Sequence, residues 1–322
     1  MKFKHTFNVF VDNFSITYKQ LLYRLIIGVI CGAIIFAGLS PFIRGLLNSD
    51  SLNRVLGGIK NFLISLLNGD INDLGSISHK IKEAYAEFLV LLETKTTQIT
   101  LSIILLVAVY AVGKWFAGLG NYATAAVIND KMALRAESPF LSTLIKNLKE
   151  ATLYNLIYVP LTIVYDALIG IAMFYFIFYL LKVFLPFFVC LFLFVVVIVV
   201  ANAFKMTFTA DWLPALIRGK MGQKASFVYT FARKGKNTMN VFSNFVILLL
   251  IIFGLNVAAL ICTLGVGMLI TVPASFVIIL SFELVNYYDR EEIKYFEDKN
   301  SVVKPLKEST PTREEFFRGD ED

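Results

Sequence analysis

Histidine and cysteine are scarce in this chain, which argues against metal and thiol chemistry. Its two histidines, His5 and His79, are expected on opposite sides of a membrane, so they cannot form one metal cluster. The three cysteines, Cys31, Cys190 and Cys262, all fall within apolar runs, where a cysteine is typically a small buried hydrophobic residue. We therefore predict no metal site, no disulfide framework and no cofactor.

Motifs of the common enzyme classes are missing as well. The sequence contains no Walker motif, no nucleophile elbow and no HExxH pattern. Proteolysis within a membrane by paired aspartates would need a second aspartate in the middle of an apolar run, and Asp166 has no such counterpart. We predict that the chain is not an enzyme.

Apolar sequence, in contrast, is abundant. Charged residues make up 17% of the chain and hydrophobic residues 57%, with a mean hydropathy of +0.70, which exceeds what a soluble domain can bury. Six apolar runs are each long enough, or nearly so, to cross about 30 Å of hydrocarbon at about 1.5 Å per residue. They cover residues 23–39, 98–118, 151–181, 184–204, 241–262 and 266–286. The sequence therefore predicts an all-α integral membrane protein with six transmembrane helices.

The distribution of lysine and arginine predicts which ends of these helices face the cytoplasm. Residues 1–24 contain four basic residues and one acidic residue, residues 114–150 contain five and three, and residues 205–240 contain seven and one. Residues 41–97 contain six of each. Because loops rich in Lys and Arg stay in the cytoplasm, we predict a multi-pass protein of the cell membrane with both termini cytoplasmic.

The excess of positive charge also predicts a partner. The formal net charge is +6, but residues 287–322 carry seven basic and eleven acidic residues, so the rest of the chain carries +10. Anionic lipid headgroups attract such an excess at the cytoplasmic face. The side chains expected to contact them are Lys146, Lys149, Arg218, Lys220, Lys224, Arg233, Lys234 and Lys236. Another membrane protein is a second candidate partner, whereas nucleic acid is not expected because no recognition module is present.

The six runs are predicted to form three hairpins, each preceded by a cytoplasmic amphipathic helix. These amphipathic segments, at residues 7–23, 141–156 and 225–242, combine an apolar stripe with polar or basic positions. Two interpretations stay open at this point. The segments either belong to a threefold internal repeat or are the short basic segments that commonly precede membrane spans.

Two further segments complete the predicted organisation. Residues 41–97, between the first two transmembrane helices, have the apolar spacing of two amphipathic helices, which either cover the outer ends of the spans or rest on the outer leaflet. Residues 1–296 are predicted to form the membrane domain. Residues 297–322 are polar and are predicted to be a disordered cytoplasmic tail.

Asp166 is the most conspicuous candidate for a functional residue. It lies about 15 residues from either end of the third apolar run, which predicts a position near the bilayer midplane, and no Lys or Arg is expected at the same depth. Thr162, Tyr165 and Asn256 are the polar residues expected to join it in a hydrogen-bonded knot. A transport site coupled to protons or cations is one alternative, and a shifted span that brings Asp166 nearer to water is another. Glu283 is expected to form an ion pair with Lys205 or Lys114.

The last third of the chain resembles a known group of proteins. A basic segment at 225–236 precedes a span, the tight turn 264–267 follows, and the next span contains Pro273 and closes on residues 287–289, Tyr-Tyr-Asp. Over about the last 80 residues this pattern resembles uncharacterised bacterial polytopic membrane proteins, including YesL-like proteins and the membrane domain attached to some glycerophosphodiesterases. The resemblance implies a bacterial membrane protein built from helical hairpins, and it supplies no catalytic residues. The chain departs from the group because no phosphodiesterase domain follows and because the outer segment 41–97 is unusually long.

Two functional classes follow from these features. The first is a non-catalytic membrane protein, an accessory or scaffold component that binds anionic lipid or a membrane partner, and the spread of basic residues over three segments favours it. The alternative is a transporter or lipid-handling permease that uses Asp166. The scarcity of polar residues along the spans favours the first class.

Overall fold

The structure, a computed structural model, describes residues 2–68, 71–135, 139–181, 187–232, 238–297 and 301–303. Among the described residues, six helices are long and apolar enough to cross a membrane. They are Phe14–Leu47, Thr96–Met132, Leu148–Ile177, Val189–Ile217, Thr238–Cys262 and Met268–Arg290. The predicted helical fold with six apolar spans is confirmed, and these helices fit a multi-pass membrane protein.

The described chain is almost entirely helical. The helices are α1 (Lys2–Asp12), α2 (Phe14–Leu47), α3 (Asp50–Asn68), α4 (Ile71–Thr94), α5 (Thr96–Met132), α6 (Phe140–Lys146), α7 (Leu148–Met173), α8 (Phe187–Thr209), α9 (Trp212–Ile217), α10 (Gln223–Ala232), α11 (Thr238–Cys262) and α12 (Met268–Arg290). The end of α7 continues as π-helical turns over Phe174–Leu180. Strands β1 (Tyr295–Phe296) and β2 (Val302–Val303) form a short antiparallel hairpin.

Asparagine separates a short helix from a long one at two places. Asn13 lies between α1 and α2, and Asn147 lies between α6 and α7. Each side-chain amide donates to the carbonyl four residues earlier, from Asn13 to Val9 at 2.7 Å and from Asn147 to Thr143 at 3.0 Å. The first two predicted amphipathic segments are therefore each two helices, because the asparagine side chain competes for backbone hydrogen bonds and breaks the helix.

The chain divides into two compact units, residues 1–25 with 114–322 (unit one) and residues 26–113 (unit two). In unit two, α3 and α4 pack along each other, and an exposed ion pair joins Arg54 to Glu87 at 2.7 Å. The prediction of two helices in this segment is confirmed. Their position, over the spans or on the outer leaflet, stays a prediction.

The core of unit one is built on α12. In the most apolar stretch of 18 residues in α12, 56% of the residues are buried. In the corresponding stretch of each of the other five long helices, 17% or less are buried. Trp212 of α9 is fully buried, and its ring lies 5.1 Å from that of Tyr154 on α7 and 5.0 Å from that of Phe227 on α10. Ile128 of α5 and Val9 of α1 are buried in the same cluster, which we call the packed end. Each such apolar side chain stabilises the fold by about 1.5–3 kcal/mol.

The start of α2 is joined to α5 by polar side chains at the packed end. Asn121 Oδ1 accepts hydrogen bonds from Gln20 Nε2 and Arg24 Nη2, both at 2.8 Å. Thr124 Oγ1 donates to Gln20 Oε1 at 3.0 Å. These bonds pair polar groups that would otherwise lose their water on packing without compensation.

The β1–β2 hairpin packs against α1. The Glu297 carboxylate is buried, forms an ion pair with His5 and accepts a hydrogen bond from Asn8 Nδ2 at 2.5 Å. Its backbone N–H donates to the carbonyl of Ser301 at 3.0 Å. The predicted domain boundary after residue 296 is therefore wrong, because a buried carboxylate with these partners keeps Glu297 and residues 301–303 within the fold. Residues 298–300 and 304–322 lie outside the described residues.

Two more contacts join the chain ends to α12. Lys2 Nζ donates to Asn286 Oδ1 at 2.9 Å, and burial lowers the pKa of Lys2. Tyr295 Oη donates to Asp289 Oδ1 at 3.2 Å, and burial together with this carboxylate raises the pKa of Tyr295. The first and last described segments thus belong to one packed structure.

The turn between α11 and α12 has the predicted tight form. Leu264 and Gly265 both have positive φ, at 51° and 91°. The backbone N–H of Gly265 donates to the carbonyl of Leu260 at 3.0 Å. Glycine is needed at position 265 because a side chain would be strained at this φ.

Candidate functional site

Three charged side chains from three helices meet in unit one. Lys114 of α5 lies 2.7 Å from Asp166 Oδ2, and Lys205 of α8 lies 2.6 Å from Asp166 Oδ1, so each lysine takes one carboxylate oxygen. The Asp166 side chain is 32% exposed, against 21% for Lys114 and 15% for Lys205. We call this arrangement the charge triad; its formal charge is +1.

The triad overturns the prediction that Asp166 has no counter-ion. Depth estimated from the ends of the apolar runs placed Lys114 and Lys205 away from Asp166. The helices continue beyond those runs, however, and the long lysine stems reach the carboxylate. Among the described residues no ion pair joins Glu283 to Lys114 or Lys205, because both lysines pair with Asp166, so the prediction for Glu283 is wrong.

The surroundings of α7 change at Asp166. Toward the packed end, Tyr154 and Val159 are buried. On the other side, Leu168 and Phe174 are 63% and 62% exposed. Beyond the triad, Met173 and Ile177 are buried in a small separate cluster, while most other described side chains of the helix are apolar and exposed.

The predicted hydrogen-bonded knot around Asp166 does not form within the described part of the chain. Thr162 Oγ1 donates to the carbonyl of Tyr158 on its own helix at 2.9 Å. Tyr165 Oη donates to the carbonyl of Ala201 on α8 at 2.8 Å. Both hydroxyl groups thus donate to backbone carbonyls, one on the same helix and one on α8, and a list of polar residues cannot distinguish such bonds from a shared site.

Asn256 belongs to a separate polar contact between α11 and α12. Its Nδ2 donates to Ser275 Oγ at 3.0 Å, and its Oδ1 accepts from Thr271 Oγ1 at 2.8 Å. Thr271 and Ser275 are four residues apart, so they occupy the same face of α12. That spacing is the sequence signal that could have identified them as the partners of Asn256.

The residues predicted to bind lipid headgroups have different environments. Those that are exposed are Lys146, Lys149, Lys220 and Lys224. Arg218 is half-buried, with its guanidinium 5.3 Å from the ring centre of Tyr288. Arg233, Lys234 and Lys236 lie outside the described residues.

Two of the exposed lysines, Lys146 and Lys220, line a pocket of about 480 Å³ at the packed end. Its walls come from the last turns of α5, the α6–α7 junction and the segment that follows α9. Arg135 provides a third cationic side chain, while Asp130 and Glu150 provide two carboxylates. We call this the basic pocket. The distribution of basic residues along the sequence predicts the two lysines but not the pocket, which forms only where segments far apart in the chain meet.

One amide side chain in the basic pocket has an unused hydrogen-bonding group. Gln223 donates to the carbonyl of Glu150 at 3.2 Å, while its Oε1 has no donor among the described residues. The fully buried Asn129 is paired, since its Oδ1 accepts from Tyr288 Oη at 3.0 Å and its side chain hydrogen-bonds the Asp130 carboxylate. An unpaired buried polar group costs about 1–3 kcal/mol, so Gln223 Oε1 is suited to pair with a ligand.

No family model, curated protein or solved structure matches this chain. Among the described residues, no group of three His, Cys, Asp or Glu side chains could hold a metal ion. A second pocket, of about 350 Å³, lies in unit two and includes Lys95 and Gln98. The charge triad and the basic pocket are therefore the two arrangements from which a function can be argued.

The charge triad predicts an order of stability among its variants. Asp166→Asn leaves two lysines without their carboxylate, each at a cost below the ~3 kcal/mol of an unpaired charge at the bilayer centre, because the triad is partly exposed. Lys205→Met leaves the neutral Lys114–Asp166 pair and should cost less. Thermal unfolding in detergent, with the exposed Lys149→Met as control, measures this order. Equal losses, or a larger loss for Lys205→Met, would contradict the role given to the triad.

Proposed function

We propose that this chain is a non-catalytic, multi-pass protein of the cell membrane, an accessory or scaffold component that binds anionic lipid. Both termini face the cytoplasm, as the positions of the basic segments indicate. The observation that carries the proposal is the juxtaposition of exposed lysines and exposed apolar side chains at the packed end. A membrane partner protein is the alternative ligand for the same surface.

The α6–α7 junction shows this juxtaposition most clearly. Leu141 and Ile145 are 63% and 65% exposed, and Lys146 and Lys149 are exposed beside them. A short helix with this composition suits the headgroup layer, where its apolar side chains enter the acyl boundary and its lysines approach phosphates. Leu144 of the same helix packs against the core, which holds the helix in place.

Shared features of three chain segments support a threefold repeat of amphipathic helix plus hairpin. The short helices α1, α6 and α10 precede the long pairs α2–α5, α7–α8 and α11–α12. Each short helix contains Phe-x-x-Thr, and the buried threonines are Thr6, Thr143 and Thr230. Each repeat also ends on a non-glycine residue with positive φ; these residues are Leu134, Lys220 and Glu292. The repeat accounts for basic segments recurring on one side of the membrane.

The charge triad lies, in this proposal, at the cytoplasmic boundary of the hydrocarbon rather than at its midplane. From Asp166 the helix extends 18 residues to its start at Leu148 (166 − 148), about 27 Å, much of it in the packed end. From Lys114, α5 likewise extends 18 residues to Met132 (132 − 114). The uncovered apolar surface lies beyond the triad. The likeness to YesL-like proteins stays a prediction that agrees with this arrangement.

Lipid selectivity tests the proposal. Replacing Lys146, Lys149, Lys220 and Lys224 together by Gln should remove most of the stabilisation that phosphatidylglycerol gives over phosphatidylcholine, because each lysine near an anionic surface contributes about 1 kcal/mol. The measurement is the shift in the thermal unfolding midpoint of detergent-solubilised protein. The control replaces Lys60, Lys80 and Lys82 of the predicted outer segment. No preference of the wild type for phosphatidylglycerol would refute the proposal.

Cysteine labelling tests the orientation. In a background with Cys31, Cys190 and Cys262 replaced by Ala, Lys224→Cys should react with an impermeant maleimide only after permeabilisation. Lys60→Cys should react in intact cells, because the two positions are predicted on opposite sides. Labelling of Lys224→Cys in intact cells would overturn the topology.

The transporter or lipid-handling permease remains the second proposal, and the charge triad is the observation that favours it. Ionisable side chains shared by three apolar helices are often part of an ion pathway. Asp166, however, lines neither the basic pocket nor the pocket of unit two.

A flux measurement separates the two proposals. Vesicles containing the purified protein and an internal pH-sensitive dye should show no more proton entry under an imposed potential than protein-free vesicles. The Asp166→Asn variant should behave in the same way. Proton entry in the wild type that disappears in Asp166→Asn would establish the second proposal instead of the first.

A further inference from the structure

The basic pocket combines three properties that together define a ligand. It has room for a small polar group, since its volume of about 480 Å³ falls within the range of about 300–1,000 Å³ typical of small-molecule sites. It has an excess of positive charge, and it has an unpaired hydrogen-bond acceptor, Gln223 Oε1.

The charge of the described lining favours an anion. Arg135, Lys146 and Lys220 oppose Asp130 and Glu150, which gives a net charge of +1 (three minus two). Both carboxylates already have partners: Glu150 accepts from Tyr122 Oη at 3.0 Å, and Asp130 lies 3.8 Å from Arg135. A phosphate diester, with a charge of −1, would neutralise the pocket.

The unpaired amide oxygen of Gln223 specifies the rest of the ligand. Gln223 Oε1 is an acceptor that needs a donor, and a hydroxyl or ammonium group supplies one. A phosphate ester that also carries a hydrogen-bond donor therefore matches both the cationic side chains and Gln223.

The exposed apolar side chains at the edge of the pocket favour a lipid over a free phosphate ester as the ligand. Leu153 lines the pocket and is 42% exposed, and the exposed Leu141 and Ile145 belong to the helix whose Lys146 lines the same pocket. A water-soluble phosphate would leave these apolar side chains uncovered, whereas the acyl chains of a lipid would cover them.

We infer that the basic pocket binds the headgroup of one anionic phospholipid that carries a hydrogen-bond donor, such as a glycerol group. The phosphate lies near Arg135, Lys146 and Lys220, and the donor of the headgroup faces Gln223 Oε1. This inference rests on the proposed lipid-binding function and narrows it from a basic surface to one saturable site.

Native mass spectrometry of the full-length protein in detergent tests the site. Titration with phosphatidylglycerol should load one lipid at low concentration. The Lys146→Gln/Lys220→Gln variant should weaken that step by about 10-fold or more, since a hydrogen bond to a charged group contributes about 1.5–3 kcal/mol. The charge-matched control is Lys4→Gln/Lys19→Gln, which replaces two exposed lysines outside the pocket and should leave the step unchanged.

A second pair of variants separates failure of the site from failure of the proposed function. Lys149→Gln/Lys224→Gln removes exposed lysines of the same end that do not line the pocket. If this variant weakened binding of the first lipid as much as Lys146→Gln/Lys220→Gln does, the inference of a single site in the pocket would be overturned. The proposed binding of lipid to the basic surface would still stand. Absence of lipid binding in the wild type would overturn both.

The headgroup assignment has its own comparison. Phosphatidylethanolamine and phosphatidylcholine have the same net charge, but choline has no N–H to donate to Gln223. The ethanolamine lipid should bind several-fold more tightly, and equal binding would overturn the assignment. An excess of free glycerol 3-phosphate should not displace the lipid; displacement would overturn the choice of a lipid as the ligand.

Discussion

A carboxylate within an apolar helix must find partners, and Asp166 finds them on two other helices. Each carboxylate oxygen contacts one lysine, from α5 at 2.7 Å and from α8 at 2.6 Å. The contacts fix how α5, α7 and α8 are rotated and how far each is displaced along its axis, because one residue of slippage turns a helix by about 100° and removes a lysine from reach. The packed end on one side and the bare apolar surface on the other are both arranged about this contact.

The packed end in turn explains where a ligand pocket can arise. Aromatic side chains around Trp212 fill the space between α7, α9 and α10, so that region is closed. The ends of α5 and α9 meet the α6–α7 junction less completely and leave the basic pocket open. Gln223 Oε1 is buried at this incomplete contact without a donor, which is costly unless a ligand pairs with it.

The sequence predicted the six long helices and the helical pair α3 and α4, because apolar run length and helical spacing are local properties. It did not predict the helix breaks at Asn13 and Asn147. At each position the asparagine side chain donates a hydrogen bond to the backbone, and this arrangement competes with a helix that could equally continue through the same residues. Residues 301–303 were assigned to a polar tail. They belong to the fold because Glu297 pairs with His5 of α1, a contact between opposite ends of the chain.

The number of long apolar helices therefore followed from composition read along the chain, since hydrocarbon thickness selects apolar runs of a given length. The choice of ion-pair partners did not. Asp166 lies 52 residues from Lys114 and 39 from Lys205 along the chain. No local sequence feature indicates that these lysines pair with Asp166 and not with Glu283. Only helix packing decides which of these groups meet and which amide is left facing a pocket, because both depend on the rotation and axial position of helices distant in the chain.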